Sequence, residues 1–433
     1  MTLQRLECDV AVIGAGPAGI AASVRAAENG ARVIVVDEGV GPGGQIWRPS
    51  SRRMSSGRAA NWRARLGKTG ATVLSSTAVV DAMRDDGERW ILTAESASDA
   101  IQIVAKTLIL ATGARERFLP FPGWTLPNVF GIGGAQALLK SGMSFRGRRV
   151  VIAGSGPLLL PVAASLAKAG ADVALVAEQA PLASVARYAL GLWRKPSTLA
   201  QAALLRAGFF KTRYSTGTWV TAATGEDAVR GVTVTDGKTS REIDCDVLCA
   251  AFGLVPNTEL ARLLGCRIER DAVVVNGSQE TTVGGVFCAG EPTGIGGVDL
   301  ALAEGEIAGA TAAGRSGDAR LLARRDRLRI DAIALDQAFA LRAEVSRLAT
   351  PDTIVCRCED VRLRDLDAQW SIRQAKLYTR AGMGPCQGRI CGAALECLMN
   401  WSTDSVRPPT QPARLATFLV GASATMQDEP GAQ

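Results

Sequence analysis

Cysteines near the C-terminal end of the chain have the number and spacing of a metal-ligating set. Cys356 and Cys358 form one close pair, and Cys386 and Cys391 form a second pair after a stretch of helical character. Two such pairs can bring four thiolates to one point, and these soft ligands select iron–sulfur clusters or zinc. A set of free or disulfide-bonded cysteines is the remaining alternative. Cys397 follows on an apolar helix, so we expect it in the core and not as a fifth ligand.

A glycine-rich segment near the N-terminus has the pattern of a dinucleotide-binding turn. A β-branched run ends at Gly14, a helical pattern follows, and a second apolar strand ends at Asp37. Gly14 permits the tight turn, Gly16 lets backbone amides approach a pyrophosphate, and Gly19 lets helix and strand pack closely. Asp37, or failing that Glu38, lies where a ribose hydroxyl needs an acceptor. The predicted nucleotide-binding residues here are Gly14, Ala15, Gly16, Pro17, Ala18, Gly19, Asp37 and Glu38.

The chain contains no histidine, which limits the chemistry open to it. Ser-His-Asp and Cys-His nucleophiles, histidine metal ligands and a histidyl-linked flavin are all excluded within this chain. No Arg clamp with an aromatic lid is evident either, so the sequence assigns no catalytic side chain. The other cysteines lie in apolar, strand-like surroundings and are predicted to be buried thiols: Cys8, Cys245, Cys249, Cys266 and Cys288.

The length and composition indicate a multidomain globular protein. A chain of 433 residues suggests two to four domains at roughly 100 to 200 residues each. The net charge is +7, but no dense basic block carries interleaved aromatics, so no nucleic-acid partner is expected. The basic residues around Arg315 to Arg329 are predicted to form a solvated helix face. No signal peptide is visible, and the apolar run from Val150 to Ala167 is interrupted by Gly and Pro, which favours strand, turn and buried helix over a transmembrane segment. A cytoplasmic protein is therefore expected.

Several segments after the first turn can be assigned from their patterns. Gly44 would let the backbone run beside a flat ligand, and Gln45 offers amide contacts. The alternation from Val73 to Val80, and again from Trp90, predicts antiparallel strands. A strand then ends at Ala111, Thr112 and Gly113.

A second glycine-rich turn follows a strand that begins at Arg149. It contains Gly154 and Gly156, and its next strand ends at Glu178, but Leu159 replaces the third glycine. Close contact between helix and strand is lost, and no Arg pair follows to take a 2′-phosphate, so NADP is disfavoured. An adenine nucleotide such as ATP or ADP, a working NADH site, and a fold kept for packing alone all stay open.

These segments together resemble the flavoproteins that contain two dinucleotide-binding domains. In that family, the turn matched by Ala111, Thr112 and Gly113 passes beside the FAD before the chain crosses to an inserted nucleotide domain. Thr281 to Glu291 is similar to the family's last FAD fingerprint, although an acid one methylene shorter is usual there. The resemblance implies that Val79, Gly290, Glu291 and Gly297 also contact FAD. Thioredoxin reductases of this type carry a Cys-x-x-Cys pair that is missing between Phe121 and Ser144, so disulfide reduction is not expected.

The cysteine-rich end resembles the small [2Fe-2S] domain of the bacterioferritin-associated ferredoxin (BFD) type. On a flavoprotein, one Cys-x-Cys pair and one Cys-x₄-Cys pair favour a [2Fe-2S] cluster over zinc, and the resemblance implies Cys356, Cys358, Cys386 and Cys391 as its ligands. The whole chain is similar to the A subunit of opine oxidases, the B subunit of hydrogen cyanide synthase and the alpha subunit of D-hydroxyproline dehydrogenase. The strings that carry this match are Gly113–Trp124, Gly154–Leu160, Phe252–Glu259 and Gly384–Arg389.

The resemblance implies an α/β fold with two Rossmann-like dinucleotide-binding domains of the disulfide-reductase-like flavoprotein type and a small, mostly helical BFD-like [2Fe-2S] domain. The expected divisions are residues 1–120 and 256–317 for the FAD-binding domain, 145–255 for the inserted nucleotide domain, 318–349 for a helical linker, 350–405 for the [2Fe-2S] domain and 406–433 for an extended tail.

The function implied by the resemblance is electron transfer within a heteromeric enzyme that oxidises a C–N bond. The expected cofactors are FAD and a [2Fe-2S] cluster, with FMN at a subunit interface and ATP, ADP or NAD at the second turn left open. The expected partners are an amine-oxidase-like FAD-containing beta subunit and an external electron acceptor such as a quinone, with a small gamma subunit left open. The chain itself is expected in the cytoplasm, with a peripheral position at the inner face of the membrane left open. A self-sufficient NADH-dependent reductase and a nucleotide-filled scaffold with a structural metal are the alternatives.

Overall fold

The computed structural model describes residues 3–48, 57–315, 318–401 and 406–419. Within them the chain forms two compact units, each made of segments distant in sequence. One unit contains the described residues up to 115, those from 256 to 333 and those from 406 to 419. The other contains residues 116–255 and the described residues from 334 to 401.

The described residues form β-strands and α-helices, which alternate in some stretches and are separated by runs of consecutive strands in others. The strands are β1 (Leu3–Ile13), β2 (Val33–Val36), β3 (Thr72–Leu74), β4 (Ala78–Arg84), β5 (Trp90–Glu95), β6 (Ala100–Leu110), β7 (Ala114–Glu116), β8 (Val129–Gly131), β9 (Arg149–Gly154), β10 (Asp172–Glu178), β11 (Arg213–Thr216), β12 (Trp219–Thr224), β13 (Gly231–Thr235), β14 (Ser240–Asp244), β15 (Val247–Ala251), β16 (Leu254–Pro256), β17 (Ile268–Glu269), β18 (Ala272–Val273), β19 (Val286–Cys288), β20 (Ile354–Cys356) and β21 (Val361–Arg362). The α-helices are α1 (Pro17–Glu28), α2 (Arg58–Gly67), α3 (Ile132–Lys140), α4 (Leu159–Lys168), α5 (Leu182–Gly191), α6 (Pro196–Ala207), α7 (Glu259–Leu263), α8 (Gly297–Ala312), α9 (Ala319–Ala338), α10 (Ile372–Thr379) and α11 (Cys391–Met399).

The first unit is built on a sheet with the strand order β3-β2-β1-β6-β5-β4, in which β19 also pairs with β6. The strands β1, β2, β3, β6 and β19 are mutually parallel where they pair, whereas β4, β5 and β6 form antiparallel pairs. Parallel pairs need crossover connections, and α1 supplies the one between β1 and β2. The predicted antiparallel pairing of β4 with β5 is confirmed. The expectation that the strand at Val73 is also antiparallel is wrong, because the three-residue strand β3 pairs in parallel with β2.

Helices α1 and α8 of the first unit approach each other at two glycines that the sequence analysis did not single out. A Cβ atom on Gly305 would lie 2.2 Å from the carbonyl oxygen of Ala18, and one on Gly309 would lie 2.2 Å from that of Ala22. A side chain at either position would force the helices apart. These glycines therefore hold α8 against the helix that follows the first glycine-rich turn.

The second unit has a parallel sheet with the strand order β11-β10-β9-β15-β8 and a separate antiparallel sheet, β12-β13-β14. The run from Val150 to Ala167 forms β9, a turn and the buried helix α4, as predicted. No helix in the described part of the chain is long and apolar enough to cross a membrane.

The cysteine-rich end belongs to the second unit and forms β20, β21, α10 and α11. Its own core includes Val355, Ala375 and Leu395. The indole nitrogen of Trp124 donates a 2.6 Å hydrogen bond to the carbonyl oxygen of Ile354, directly before the first cysteine pair. This contact attaches the cysteine-bearing strand to the segment before β8.

Candidate functional site

The first glycine-rich turn lies between β1 and α1, and its glycines differ in what surrounds them. Gly14 has φ +101°, and a Cβ there would lie 2.3 Å from the carbonyl oxygen of Ala111. A Cβ on Gly19 would lie 1.8 Å from the carbonyl oxygen of Gly14. A Cβ on Gly16 would have no atom within 4 Å. Two glycines are thus required by packing, and Gly16 faces open space at the start of α1, where amide groups and the helix dipole favour an anion.

Asp37 lies beside this turn, directly after β2. One carboxylate oxygen accepts a 2.5 Å hydrogen bond from the backbone amide of Ala15, and the other accepts a 2.8 Å bond from the amide of Gly39. Glu38 is exposed. The structure therefore brings Asp37, and not its neighbour, to the glycine-rich turn.

The loop after β2 covers the same turn. The amide of Gly43 donates a 2.7 Å bond to the carbonyl oxygen of Ala15. A Cβ on Gly44 would lie 2.9 Å from the Cα of Gly16, whereas Gln45 is exposed. From α2, the Arg63 side chain donates to the carbonyl oxygens of Pro42 and Trp47. The backbone of this loop is held beside the open face of the turn.

The turn at Ala111, Thr112 and Gly113 is held by Asn257, which the sequence analysis named only within a family-like string. The Asn257 side chain donates a 2.9 Å bond to the carbonyl oxygen of Thr112, and the Thr112 hydroxyl donates a 2.7 Å bond to the carbonyl oxygen of Asn257. The Asn257 amide donates to the carbonyl oxygen of Gly113. Val79, the remaining predicted contact on this sheet, is buried at the bulge in β4.

Glu291 lies just ahead of α8 and is bound by that helix's own first amides. Its carboxylate accepts hydrogen bonds from the amides of Gly296 at 3.2 Å and Gly297 at 3.0 Å. Burial raises the pKa of Glu291 above the ordinary range. Its neighbour Gly290 is packed against Ala18, because a Cβ there would lie 2.8 Å from the Cβ of Ala18.

A buried carboxylate at Glu304 supports the same region and was not predicted. Glu304 is 1% exposed and accepts hydrogen bonds from the amide of Gly290 at 2.9 Å and the hydroxyl of Thr293 at 2.8 Å. Arg329 of α9 completes the network with a 2.8 Å ion pair. The neighbouring Arg325 is 5% exposed and donates to Gln279. The expectation of a solvated basic face around Arg315 to Arg329 is therefore wrong at these two arginines, which pair with buried acceptors.

The second glycine-rich turn lies in the other unit, between β9 and α4. A Cβ on Gly154 would lie 1.9 Å from the carbonyl oxygen of Ala251, and one on Gly156 would have no atom within 4 Å. Glu178 accepts a 2.9 Å bond from the amide of Gly156 and a 2.8 Å bond from that of Ala180. Burial raises the pKa of Glu178 to about 7, although both amide bonds lower it.

A segment that follows α9 contacts this second turn. The Ser155 hydroxyl donates a 2.7 Å bond to the carbonyl oxygen of Phe339, and the Gln179 side chain donates a 3.1 Å bond to that of Ala340. The amide of Arg342 donates a 3.0 Å bond back to Gln179. Polar atoms next to Gly154, Gly156 and Glu178 are thus already bonded within the chain.

The four predicted ligand cysteines lie together as two contacting pairs. Cys391 lies beside Cys356, and Cys386 lies beside Cys358, close enough in each case for the neighbour to shift the pKa of the other thiol. The Cys391 thiol and backbone amides lower the pKa of Cys356. Within the part of the chain that the structure describes, no three Cys, Asp or Glu side chains converge as a group that could hold a metal ion.

Gly382 and Gly384, just before Cys386, bring backbone atoms close to Cys356 and Cys358. The amide of Gly382 donates a 3.5 Å bond to the Cys356 sulfur. A Cβ on Gly384 would lie 2.3 Å from the Cβ of Cys358. Cys391 is the first residue of α11, and its hydrogen bond with Cys356, together with burial, raises the pKa of its thiol.

The other cysteines divide cleanly by exposure. The five predicted buried thiols are all buried, as expected, and burial raises their pKa values: Cys8, Cys245, Cys249, Cys266 and Cys288. The expectation that Cys397 lies in the core is wrong, because it is exposed. It lies six residues after Cys391, which places it on a different face of α11.

Comparison with known proteins identifies the family of the segment that contains both glycine-rich turns. The family model described as "Pyridine nucleotide-disulphide oxidoreductase" matches residues 8–317. The chain belongs to this family. It is an oxidoreductase with the predicted two-domain Rossmann flavoprotein fold, and the comparisons support FAD as its cofactor.

Relatives of similar length belong to oxidases and synthases of several subunits. The A subunit of opine oxidase from Rhizobium meliloti is 31% identical to this chain over 94% of the chain and 86% of that protein. Hydrogen cyanide synthase subunit HcnB of Pseudomonas protegens is 31% identical over 88% of this chain and 89% of that protein. Among solved structures, L-proline dehydrogenase from P. horikoshii has a TM-score of 0.67 at 20% identity and covers 96% of this chain and 80% of that chain. The predicted resemblance to opine oxidase and hydrogen cyanide synthase subunits is confirmed.

Proposed function

We propose that this chain is the FAD- and [2Fe-2S]-containing electron-transfer subunit of a heteromeric dehydrogenase or oxidase that oxidises the C–N bond of an opine or amino acid. The observation that carries the proposal is the presence, in one chain, of an open dinucleotide turn and two contacting thiol pairs. The names of its relatives, which are subunits of opine oxidase and hydrogen cyanide synthase, support a heteromeric enzyme.

The first turn fits the pyrophosphate and ribose of FAD. Space beside Gly16, the amides at the start of α1 and the loop backbone at Gly44 are suited to a flat, anionic ligand. Asp37 would exchange its bond to Ala15 for one to a ribose hydroxyl. The N-terminus of α8, whose Gly297 amide is bonded to Glu291, would direct the positive end of its helix dipole toward developing negative charge on the flavin.

The paired cysteines fit a two-iron centre better than a zinc ion. A zinc site needs its thiolates around one ion, and zinc knuckles more often use two Cys-x-x-Cys pairs than the Cys-x-Cys and Cys-x₄-Cys pairs of this chain. A [2Fe-2S] cluster takes four thiolates shared between two irons, which suits a Cys356–Cys391 pair and a Cys358–Cys386 pair. The Gly382 amide would donate to a sulfur ligand.

When bound, a flavin accepts electrons in pairs and an iron–sulfur cluster passes them singly. In this chain, the first turn binds and orients the nucleotide, Asn257 fixes the turn at Thr112, and the cysteine-rich end shields its thiolates with glycine amides. We infer that substrate oxidation takes place on an amine-oxidase-like FAD-containing beta subunit, with a small gamma subunit in the complex. Electrons would pass to a quinone-type acceptor at the inner face of the membrane, and FMN at the interface between subunits would belong to the same path.

The chief alternative, an NADH-dependent reductase, is disfavoured by the second turn. A working site needs the polar groups beside Gly154, Gly156 and Glu178 to be available for the adenosine ribose and pyrophosphate. Ser155 and Gln179 instead bond to the segment from Phe339 to Arg342. ATP, ADP or NAD held at this turn would then serve structure and not hydride transfer.

Metal and flavin content of the purified full-length chain test the cofactor assignment. We expect flavin and iron–sulfur absorbance with two irons per chain, and loss of the iron bands in Cys358→Ser but not in Cys397→Ser. The second variant is a matched control because Cys397 is exposed on a different face of α11 from Cys391. Zinc in place of iron, or equal iron in both variants, would contradict the cluster assignment.

Anaerobic addition of NADH separates the two enzymatic proposals. We expect no rapid bleaching of the flavin unless an amine substrate is added together with the beta subunit. Rapid bleaching by NADH alone would support the reductase. Absence of both flavin and iron–sulfur absorbance would support the nucleotide-filled scaffold.

A further inference from the structure

Helices α5 and α6 of the second unit expose apolar side chains where surface helices normally carry charge. Neither helix contains a buried residue. Large side chains between 182 and 210 are mostly solvent-exposed: Leu190 at 75%, Trp193 at 74%, Leu204 at 75% and Phe210 at 70%. Leu182 is exposed at 67%. We call residues 182–213 the basic apolar face.

The exposed arc of α5 shows how unusual this face is. The exposed residues Leu182, Ala183, Ala186, Ala189 and Leu190 are apolar, and Arg187 is the charged residue among them. The exposed arc of α6 contains Ala, Leu, Pro, Ser, Thr and Gln, with no charge. A helix that faces water is expected to be polar on its outer side, so this arrangement indicates a surface that is covered when the protein functions.

The charges of the segment are all of one sign. Residues 179–225 contain six Lys and Arg residues and no Asp or Glu. The Nζ of Lys211 lies 5.9 Å from the ring centroid of the exposed Phe210. Arg206 donates to the carbonyl oxygens of Phe209 and Thr212. The Lys211 ammonium therefore lies beside the exposed Phe210 ring, and the segment contains no carboxylate to neutralise its cations.

We propose that the basic apolar face docks on an anionic membrane surface. Leu, Trp and Phe beside Lys and Arg are the combination that binds the boundary between lipid headgroups and acyl chains, since apolar groups enter the boundary and cations meet anionic headgroups. Tryptophan is favoured at this depth. A protein partner would have to supply acidic groups matched to each cation, whereas an anionic bilayer presents negative charge continuously.

Vesicle binding by the full-length chain tests this proposal. We expect the chain to sediment with vesicles containing anionic phosphatidylglycerol and to bind pure phosphatidylcholine vesicles at least tenfold more weakly, with a loss of binding at high salt. Replacing Leu190, Trp193 and Leu204 together with Glu should reduce binding to the anionic vesicles at least tenfold. The control is Ile330→Glu, which changes an exposed apolar residue of similar exposure on α9 and should bind as the wild type does.

Two further variants keep the outcome interpretable. Leu204→Ser alone should weaken binding if the triple variant does not fold, as judged by circular dichroism. The charge variant, Arg187→Gln with Lys211→Gln, should weaken binding to anionic vesicles without changing the small amount bound to neutral ones. Equal binding by all variants, or no binding by the wild type, would overturn the proposal. Failure of the triple variant to join the enzyme's other subunits, with no lipid binding by the wild type, would assign this face to an interface between subunits instead.

Discussion

The substitution Gly16→Ala separates a cofactor contact from a packing contact at the first turn. A Cβ on Gly16 meets no atom within 4 Å, and the residue has φ −70°, which alanine adopts without strain. Because Gly16 is the N-cap of α1, alanine should lower the free energy of unfolding by about 1 kcal/mol at most. The added methyl would overfill the space for a pyrophosphate, at a cost of about 1–3 kcal/mol. The dissociation constant for FAD should therefore rise about 5- to 150-fold.

Two other glycine variants serve as controls for this prediction. Gly19→Ala would place a Cβ 1.8 Å from the carbonyl oxygen of Gly14, so we expect a fold defect in the cofactor-free chain. Gly277→Ala, where a Cβ also meets nothing within 4 Å and which lies outside the residues predicted to contact FAD, should change neither stability nor affinity. Chemical denaturation of the cofactor-free chain and titration with FAD measure the two quantities separately. Equal FAD affinity in Gly16→Ala and wild type would refute the placement of the pyrophosphate beside Gly16.

Three further predictions concern the cysteine-rich end, the Glu178 carboxylate and the ion pair between Arg329 and Glu304. Gly384→Ala should reduce the iron content, because its Cβ would lie 2.3 Å from the Cβ of Cys358, whereas Gly392→Ala has open space and should retain iron in the same metal analysis. The pKa of Glu178 is raised to about 7 from 4.5, so its protonated form is favoured in the folded state. Its contribution to stability should be complete below pH 4.5 and decline by about 3 kcal/mol as the pH rises through 7; urea denaturation of Glu178→Gln should lack this decline, and parallel pH profiles would contradict the assignment. Arg329→Met should lower the free energy of unfolding by about 2 kcal/mol, because it leaves Glu304 buried without its ion pair, and Arg329→Lys should recover part of the loss in the same assay.

The fold was predictable because local patterns and the family resemblance pointed to the same architecture. The strand that ends at Gly14, the helix after it and the acid at Asp37 are neighbours in sequence, so spacing alone placed them at one turn. The run from Val150 to Ala167 was equally clear, since Gly and Pro interrupt it between β9 and α4. Each of these features depends on contacts within about thirty residues, a range at which sequence periodicity is informative.

Contacts between distant segments were not predictable in the same way. Asn257 holds the turn at Thr112 from 145 residues away, and no pattern around either residue signals the partner. Arg325 and Arg329 look like an ordinary solvated helix face until Gln279 and Glu304 are known to lie against them. Cys397 looks like a core residue because the helix is apolar, but helical phase turns it away from Cys391.

The glycines of the two turns support different roles for two similar sequences. In each turn, one glycine is enforced by a backbone carbonyl, at Ala111 for Gly14 and at Ala251 for Gly154. Each turn also retains a glycine facing open space, Gly16 and Gly156. Gly16, at φ −70°, is required neither by packing nor by backbone conformation and is best explained by a ligand that comes close to the backbone, whereas Gly156 has φ +97°, which favours glycine without a ligand.

The second turn nevertheless differs from the first at the positions that a working NADH site would use. Leu159 replaces the glycine that would bring helix and strand together, and the leucine is fully buried within the core beside β9. Ser155 is bonded to Phe339, and Gln179 to Ala340. The turn therefore retains space for a nucleotide phosphate but not the free polar groups of an exchangeable NADH site. We infer that electrons enter this chain from a partner and not from its own second nucleotide domain, which is why the anaerobic NADH experiment bears on the whole proposed function.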